Sequence, residues 1–173
     1  RDRKGAMGAI DPKFEEIKRT GVGFQAHNLD GLSVEGRKTV LDALAAQLGE
    51  KAKVRMLMHS IAFGNLKPLI GADAVLEEED FTRTVHAMGT SLVMWTQDLF
   101  ARKLFAADAR VLGMTSEGNQ IAWKGYAAVA AAKVALESVS RAIAVELGPH
   151  GIRSNIVQAG VTDTPALRLI PGA

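Results

Sequence analysis

One tyrosine and one lysine of this chain have a spacing that could support acid–base chemistry. Tyr126 is the only tyrosine among the 173 residues, and Lys133 follows it by seven positions. Seven residues are close to two turns of an α-helix with ~3.6 residues per turn, so both side chains can lie on one face. An ammonium group near a phenol favours the ionised form, which suits a hydroxyl that donates to an oxyanion. A tyrosine at a helix start followed by a surface lysine would give the same spacing.

Polar, glycine-bearing segments follow each strand that the sequence predicts. Short apolar runs predict strands at 22–28, 54–59, 110–115 and 152–158. The segments after them are 28–30, 59–62, 115–118 and 159–164. In an open α/β sheet, ligands bind outside the carboxyl ends of the strands, so these segments predict a binding crevice. Strand-to-helix loops are polar in many proteins, however, which leaves a purely structural interpretation open.

Helices alternate with these strands. Apolar periodicity and terminal residues predict helices from Asp11 to Thr20, over 33–48, over 77–105 with a break near Gly89, and over 127–147. The order is therefore helix then strand, four times over. That alternation predicts an α/β fold with a parallel sheet.

Composition excludes several classes of protein. Hydrophobic residues make up 47% and the formal net charge is +2, which gives no electrostatic case for binding nucleic acid or an anionic membrane. The chain has no cysteine, so thiol catalysis, disulfides and thiolate metal sites are excluded. No apolar run reaches the ~18–20 residues of a membrane helix. The histidines lack metal-ligand spacing, and we expect no metal site and ordinary surface or loop positions for His27, His59, His86 and His150.

Four segments together resemble a known family. Tyr126-Ala-Ala-Val-Ala-Ala-Ala-Lys133 has the longer tyrosine–lysine spacing, where the commoner pattern would place lysine at Ala130. His59-Ser60-Ile61-Ala62, the run 146–155 and the turn 159–164 follow the same family's order. The chain thus resembles the short-chain dehydrogenase/reductase superfamily, within its enoyl-acyl-carrier-protein reductase branch, over nearly its whole length.

The resemblance implies a fold and an activity. We expect residues 1–173 to form a single dinucleotide-binding domain, a Rossmann-like doubly wound parallel sheet that is incomplete at both ends. By the resemblance we expect the first βαβ phosphate-loop unit and the last strand to be missing from these residues. For the phosphate loop, the only Gly-x-Gly, at 21–23, lies between a helix and a predicted strand, the wrong order for a phosphate cradle. The implied activity is NAD(P)H-dependent reduction of the 2,3 double bond of an enoyl thioester. A carbonyl-reducing short-chain enzyme and a non-catalytic nucleotide-binding scaffold remain alternatives.

The resemblance also assigns roles to residues. Tyr126 would hydrogen-bond the thioester carbonyl, Lys133 would bind the nicotinamide-ribose hydroxyls, and Ser116, or Thr115 beside it, would supply a second hydroxyl. The remaining cofactor-binding positions would be Asn28, Leu29 and Asp30 by the adenine, Ser60, Ile61 and Ala62 along the cofactor, and Gly160, Thr162 and Thr164 at the nicotinamide.

The cofactor and partners follow from the same resemblance. At the adenine ribose, Asp2 would favour NADH, whereas Arg3 and Lys4 favour the 2′-phosphate of NADPH, the cofactor that we expect. The substrate would be an acyl thioester on acyl-carrier protein in fatty acid synthesis. We expect a cytoplasmic homotetramer that binds neither nucleic acid nor membrane.

Overall fold

The computed structural model describes residues 7–72, 74–160, 163 and 168. The chain divides into two compact units, residues 1–47 and residues 48–173, and each is considered by itself. The expectation of a single domain stays a prediction.

Two helices account for most of the first unit. Helix α1 spans Met7–Arg19 and ends where Gly21 adopts a left-handed conformation with φ of 81°. It begins before the predicted start at Asp11, so that Pro12 lies inside it. Helix α2 spans Val34–Leu48, and the Ser33 hydroxyl accepts a hydrogen bond from the Gly36 amide at 2.9 Å, as a helix N-cap does.

The strand predicted over 22–28 is not present, and that prediction is wrong. These residues are irregular, and most of their side chains are exposed. The short apolar run that suggested a strand includes Phe24, whose ring packs against Phe14 of α1 at a centroid distance of 5.0 Å. An isolated strand is not stable in water without a neighbour to pair with, so a local ring contact takes its place.

The second unit contains a parallel sheet of three strands. They are β1 (Val54–His59), β2 (Phe105–Ser116) and β3 (Ile152–Ala159), in the order β1-β2-β3. Both pairings are parallel, which confirms the predicted α/β class. Strand β2 begins earlier than predicted.

A long helical region connects β1 to β2. Helix α3 spans Glu78–Val85, a π-helical turn spans His86–Thr90, and helix α4 spans Ser91–Ala101. The break predicted near Gly89 is thus a change of helical winding. A Cβ on Gly89 would lie 2.8 Å from the carbonyl oxygen of Ala132, so the glycine lets this region approach the next helix closely.

Helix α5, Ala127–Leu147, connects β2 to β3 and has the predicted bounds. It packs on β2 and β3, and Leu136 and Ile143 on α5 enter the core. The other fully buried members of that core are Leu92, Ala109, Val111 and Ile152. Gly151, with φ of 77°, then turns the chain into β3, where a Cβ would lie 1.9 Å from the carbonyl oxygen of Ala107.

Candidate active site

The carboxyl ends of the three strands lie along one edge of the sheet. His59 at the end of β1 is the register partner of Gly113, and Ser116 at the end of β2 is that of Ala159 at the end of β3. The predicted cofactor residues Ser60, Ile61 and Ala62 directly follow β1, and Gly160 directly follows β3. Ser60, Ala62 and Gly160 are exposed, and Ile61 is half-buried. The structure therefore brings these four residues to the edge that the sequence predicted.

Tyr126 begins helix α5, where it occupies the N-cap position. Its ring packs edge-on against Trp123, with the centroids 5.3 Å apart. On another side it contacts Gly118, where a Cβ would lie only 2.3 Å from the ring carbon Cε1. The side chain is buried, and its hydroxyl has no hydrogen-bond partner within the described part of the chain. The ring is thus fixed by packing, and its hydroxyl remains available to a ligand.

Lys133 lies two turns further along α5 and is buried, with 8% of its surface exposed. Its Nζ donates a hydrogen bond of 2.7 Å to the carbonyl oxygen of Met114, near the end of β2. Burial lowers the pKa of Lys133, because an ammonium group loses hydration there. An ammonium group has three N–H donors, so two remain after the bond to Met114.

Ser116 and Thr115 end strand β2 in different environments. The Thr115 hydroxyl donates a hydrogen bond to Oε1 of Glu137 at 2.7 Å, so its hydrogen is already committed. The Oγ of Ser116 is buried and has no partner among the described residues. Buried polar atoms are nearly always hydrogen-bonded, so an orphaned hydroxyl at this edge is suited to a bound ligand. Of the two hydroxyls considered from the sequence, Ser116 fits a catalytic role better.

His59 is buried, with 4% of its surface exposed, so the expectation that it is a surface or loop histidine is wrong. Its Nε2 lies 2.7 Å from Oγ of Ser91, and that hydroxyl donates to the carbonyl oxygen of Ala87 at 2.9 Å. Because the single hydroxyl hydrogen goes to Ala87, His59 must be the donor through Nε2. Burial, together with the charge of Lys133, lowers the pKa of His59 to about 4. The neutral imidazole therefore leaves Lys133 without a second cation beside it at neutral pH.

The loop after β1 is attached both to α3 and to the start of α5. The Asn65 amide donates to Oγ1 of Thr84 at 3.0 Å, and Lys67 pairs with Asp80 at 2.5 Å. Gly125, just before Tyr126, approaches the backbone of Leu66 and Lys67 to within ordinary contact distance. The loop is thus anchored to α3 and lies next to Gly125, the residue before Tyr126.

The roles of the other predicted site residues stay predictions. Asn28, Leu29 and Asp30 belong to the first unit. Arg3, Thr162 and Thr164 lie outside the described residues, so their roles stay predictions.

Neither a metal site nor a membrane span is found where the structure is described. No group of three or more side chains there could hold a metal ion. None of the helices described combines the length and the apolar character that crossing a membrane requires.

Sequence reasoning missed three polar residues of the site, namely His59, Ser91 and Glu137. The one available signal for His59 was that it ends an apolar strand. For Glu137 it was the position four residues after Lys133, on the same helical face.

A family model and several relatives indicate the same family. The family model described as enoyl-(acyl carrier protein) reductase matches residues 14–173. An NADH-dependent enoyl-[acyl-carrier-protein] reductase of Rhizobium meliloti is 32% identical over 160 residues, which cover 91% of this chain and 56% of that protein. The Mycobacterium avium enzyme of that name is 31% identical over 148 residues, covering 83% and 53%. This chain therefore spans about half the length of the curated relatives that it matches.

Solved structures extend the agreement to the fold. The enoyl-[acyl-carrier-protein] reductase (NADH) of Aquifex aeolicus superposes with a TM-score of 0.70 at 26% identity, covering 83% of this chain and 54% of that one. A dehydrogenase/reductase from Sinorhizobium meliloti superposes with a TM-score of 0.79 at 23% identity, covering 94% and 61%, and supports the fold alone. The family match, the Rossmann-like parallel sheet and the tyrosine–lysine helix lead to one conclusion: the chain belongs to the enoyl-acyl-carrier-protein reductase branch of the short-chain dehydrogenase/reductase superfamily.

Proposed function

We propose that the protein catalyses the NAD(P)H-dependent reduction of the 2,3 double bond of an enoyl thioester. The observation that carries this proposal is the pair Tyr126 and Lys133, seven residues apart at the start of α5 and beside the carboxyl ends of the strands. Relatives named enoyl-[acyl-carrier-protein] reductase, two of them at 32% and 31% identity, support the same activity.

The residues at this edge fit the nicotinamide end of such a cofactor. Ser60 and Ala62 leave the edge beyond β1 open, and Gly160 adds no side chain beyond β3. Lys133 donates one hydrogen bond to the carbonyl oxygen of Met114 and has two N–H donors left for ribose hydroxyls. Ser116, two residues beyond Met114 on β2, has a hydroxyl without a partner among the described residues. When bound, the cofactor would supply a hydride to the β-carbon of the thioester.

Tyr126 acts on the other end of the reacting group. As the double bond is reduced, negative charge develops on the thioester carbonyl oxygen, and the phenol hydroxyl donates a hydrogen bond to it. Trp123 and Gly118 fix the ring, so this donor needs little reorganisation during the reaction. The hydroxyl of Ser116 is the second donor for the same oxygen. The Tyr126 side chain and the Oγ atom of Ser116 are buried, so little water competes for these hydrogen bonds, which strengthens them.

Lys133 binds the ribose hydroxyls of the cofactor and keeps the electrostatic potential at this edge of the sheet positive. A cation in a poorly hydrated site stabilises nearby developing negative charge more than it would in water. The neutral His59 does not compete with it for anionic groups or add repulsion.

The cofactor choice, carrier, assembly and compartment belong to the same proposal. We propose NADPH, since Arg3 and Lys4 could recruit a 2′-phosphate, although the relatives include both NADH enzymes and an NADPH enzyme from Staphylococcus aureus at 26% identity. The acyl group would be delivered on acyl-carrier protein in fatty acid synthesis. We further propose a cytoplasmic homotetramer.

A carbonyl-reducing enzyme is the second candidate. It is favoured by a relative named D-erythrulose reductase, from Gallus gallus, which is 28% identical over 130 residues, covering 74% of this chain and 51% of that protein. The test is NADPH oxidation by the full-length protein with a crotonyl thioester beside an acetoacetyl thioester. We expect much faster oxidation with the crotonyl compound. Equal or faster oxidation with the acetoacetyl compound would favour the second candidate.

A further inference from the structure

The carboxylate of Glu137 connects two segments at the edge of the candidate site. It lies on α5, one turn beyond Lys133, and it is half-buried. Its Oε1 accepts a hydrogen bond from Oγ1 of Thr115 at 2.7 Å and another from Nδ2 of Asn119 at 2.5 Å. Hydrogen bonds to an ionised acceptor are about twice as strong as neutral ones. One oxygen atom therefore joins the end of β2 to the turn that follows it.

The two donors flank the residues that matter for the site. Thr115 precedes Ser116, and Asn119 closes the short 3-10 turn Glu117–Asn119. Only three residues, 116–118, separate the donors, so fixing both ends leaves this segment little freedom. Gly118, within it, packs against the ring of Tyr126, and Ser116 carries the unpartnered hydroxyl. A displacement of the segment would move both groups.

Glu137 also determines which way the Asn119 amide points. The NH₂ group must face the carboxylate, because the reverse orientation would set the amide oxygen against Oε1. The amide oxygen Oδ1 is then buried and has no partner among the described residues, as is also true of the Ser116 hydroxyl. The positions of both unpartnered atoms, Oγ of Ser116 and Oδ1 of Asn119, are thus set by the carboxylate of Glu137.

We propose that Glu137 is a positioning residue, which fixes Ser116 and the ring of Tyr126 by bridging Thr115 and Asn119. The chemical part rests on the function proposed above, because Ser116 and Tyr126 must act on the thioester for their positions to affect the rate. The positional part does not, since the bridge orders the segment whatever the substrate is.

The experiment compares Glu137→Ala and Glu137→Gln with Glu146→Ala in the full-length protein. Glu146 is an exposed glutamate on the same helix, so its replacement controls for charge and helix propensity. We expect Glu137→Ala to lower kcat roughly tenfold to a hundredfold, the range that small misplacements of reacting groups produce. The cofactor Kd should change less than about twofold, because Lys133 is unaffected. Glu137→Gln, which keeps an acceptor oxygen, should retain most of the activity.

A spectroscopic measurement separates this proposal from the proposed function. Trp123 stacks edge-on against Tyr126, so its fluorescence reports the position of that ring. The measurement uses a Trp95→Phe background, in which Trp123 is the only tryptophan of these 173 residues, with any tryptophan elsewhere in the full-length protein also replaced by phenylalanine. Its emission should change in Glu137→Ala and not in Glu146→Ala, even if the protein reduces no enoyl thioester.

Other outcomes would overturn the proposal. Unchanged Trp123 emission in Glu137→Ala would exclude positioning of the tyrosine ring. A raised cofactor Kd with normal kcat would assign Glu137 to binding instead. Should Glu137→Ala fail to fold, Asn119→Asp gives the same test, since it places a second carboxylate against Glu137. Wild-type kcat and emission in Asn119→Asp would then refute the bridge.

Discussion

Tyr126 and Lys133 are fixed by different contacts, so their substitutions should impair the enzyme in different ways. The ring of Tyr126 packs against Trp123 and Gly118, and Tyr126→Phe keeps that packing while removing the hydroxyl. We expect kcat to fall on the order of 10²–10³-fold, the usual loss for one oxyanion donor, with little change in cofactor Kd. Lys133→Ala should instead weaken cofactor binding, and Lys133→Arg should preserve part of it.

Steady-state kinetics and fluorescence titration of the cofactor measure the two effects separately. The thermal midpoint of Tyr126→Phe serves as the control, because a ring that keeps its packing should not alter it. Wild-type kcat in Tyr126→Phe would mean that the tyrosine is only a packing residue at a helix start.

His59 predicts a dependence of stability on pH. Its pKa is about 4 in the folded protein and near 6.5 in an unfolded chain, so the unfolded state binds more protons between those values. The contribution of neutral His59 to stability is complete above pH 6.5 and is lost as the pH falls toward 4. The full loss corresponds to roughly 3 kcal/mol of unfolding free energy. Urea unfolding at a series of pH values measures it.

The matched variant for this measurement is His59→Gln. Glutamine can still donate a hydrogen bond to Ser91 but does not titrate, so subtracting its pH profile isolates the histidine from every other group. The difference between the two profiles should grow as the pH decreases from 6.5. Parallel profiles would show that His59 titrates normally in the folded protein.

The candidate site was predictable where its residues are near one another in the chain. Tyr126 and Lys133 are seven positions apart on one helix, and helical geometry alone places them on one face. His59 and Ser91 are 32 positions apart, and Thr115 and Glu137 are 22 apart. Such pairs depend on how the helices pack on the sheet, and the sequence of one chain does not contain that information in a readable pattern.

At the scale of elements, the turn after β2 yields a prediction from close packing. A methyl group on Gly118 would lie 2.3 Å from Cε1 of Tyr126, so Gly118→Ala must displace either the turn or the ring. We expect a lower thermal midpoint and a kcat reduced at least tenfold, a magnitude typical of a misplaced reacting group. Thermal unfolding and steady-state kinetics measure both.

Gly148→Ala is the control for the glycine substitution. A Cβ there meets nothing within 4 Å, and the backbone has ordinary right-handed helical angles. Alanine should therefore be neutral or stabilise the protein by about 0.4–1 kcal/mol through the unfolded chain. If Gly118→Ala and Gly148→Ala had the same thermal midpoint and kcat, the contact between the turn and Tyr126 would not affect stability or activity.

The elements themselves were predicted with uneven success, for identifiable reasons. Helix α5 has the predicted bounds because its alanine-rich sequence favours helix and Gly148-Pro149 ends it. The start of β2 was missed because Ala106, Ala107 and Asp108 have low strand propensity. They lie in the irregularity between the pairs Val54–Phe105 and Met56–Arg110, so the pairing on either side includes them in the strand, not their own propensity. The sequence pattern of one segment does not show which strand will pair with it. For the same reason it could not show that segment 22–28 has no strand beside it among the described residues.

At the scale of the whole molecule, helices α4 and α5 are the surfaces through which we expect the proposed tetramer to form. Val134 and Val145 are 50% and 77% exposed on α5, and their separation of eleven residues is about three helical turns, which sets them on one face. Val145→Lys should dissociate the assembly, because it would bury an unpaired charge at such an interface. Light scattering at micromolar concentration measures the mass.

The control for the assembly experiment is Val157→Lys. Val157 is also exposed, but it lies on β3 and away from the helical face. Its replacement should leave the mass unchanged. A monomeric wild-type protein would refute the tetramer, and a tetramer that survives Val145→Lys would assign the interface to another surface.

The π-helical turn at His86–Thr90 changes the direction in which the side chains of α4 point relative to those of α3. A π turn contains one residue more than the α-helical winding needs, so it rotates everything after it by about 100° and advances it by about 1.5 Å. Leu92 and Leu99 face the core only with that extra residue in place. Deleting one residue from the turn would let the hydrogen bonds revert to α-helical winding while turning both leucines away from the sheet. This segment is consequently intolerant of changes in length, and at Gly89 also of an added side chain, because a Cβ there would lie 2.8 Å from the carbonyl oxygen of Ala132.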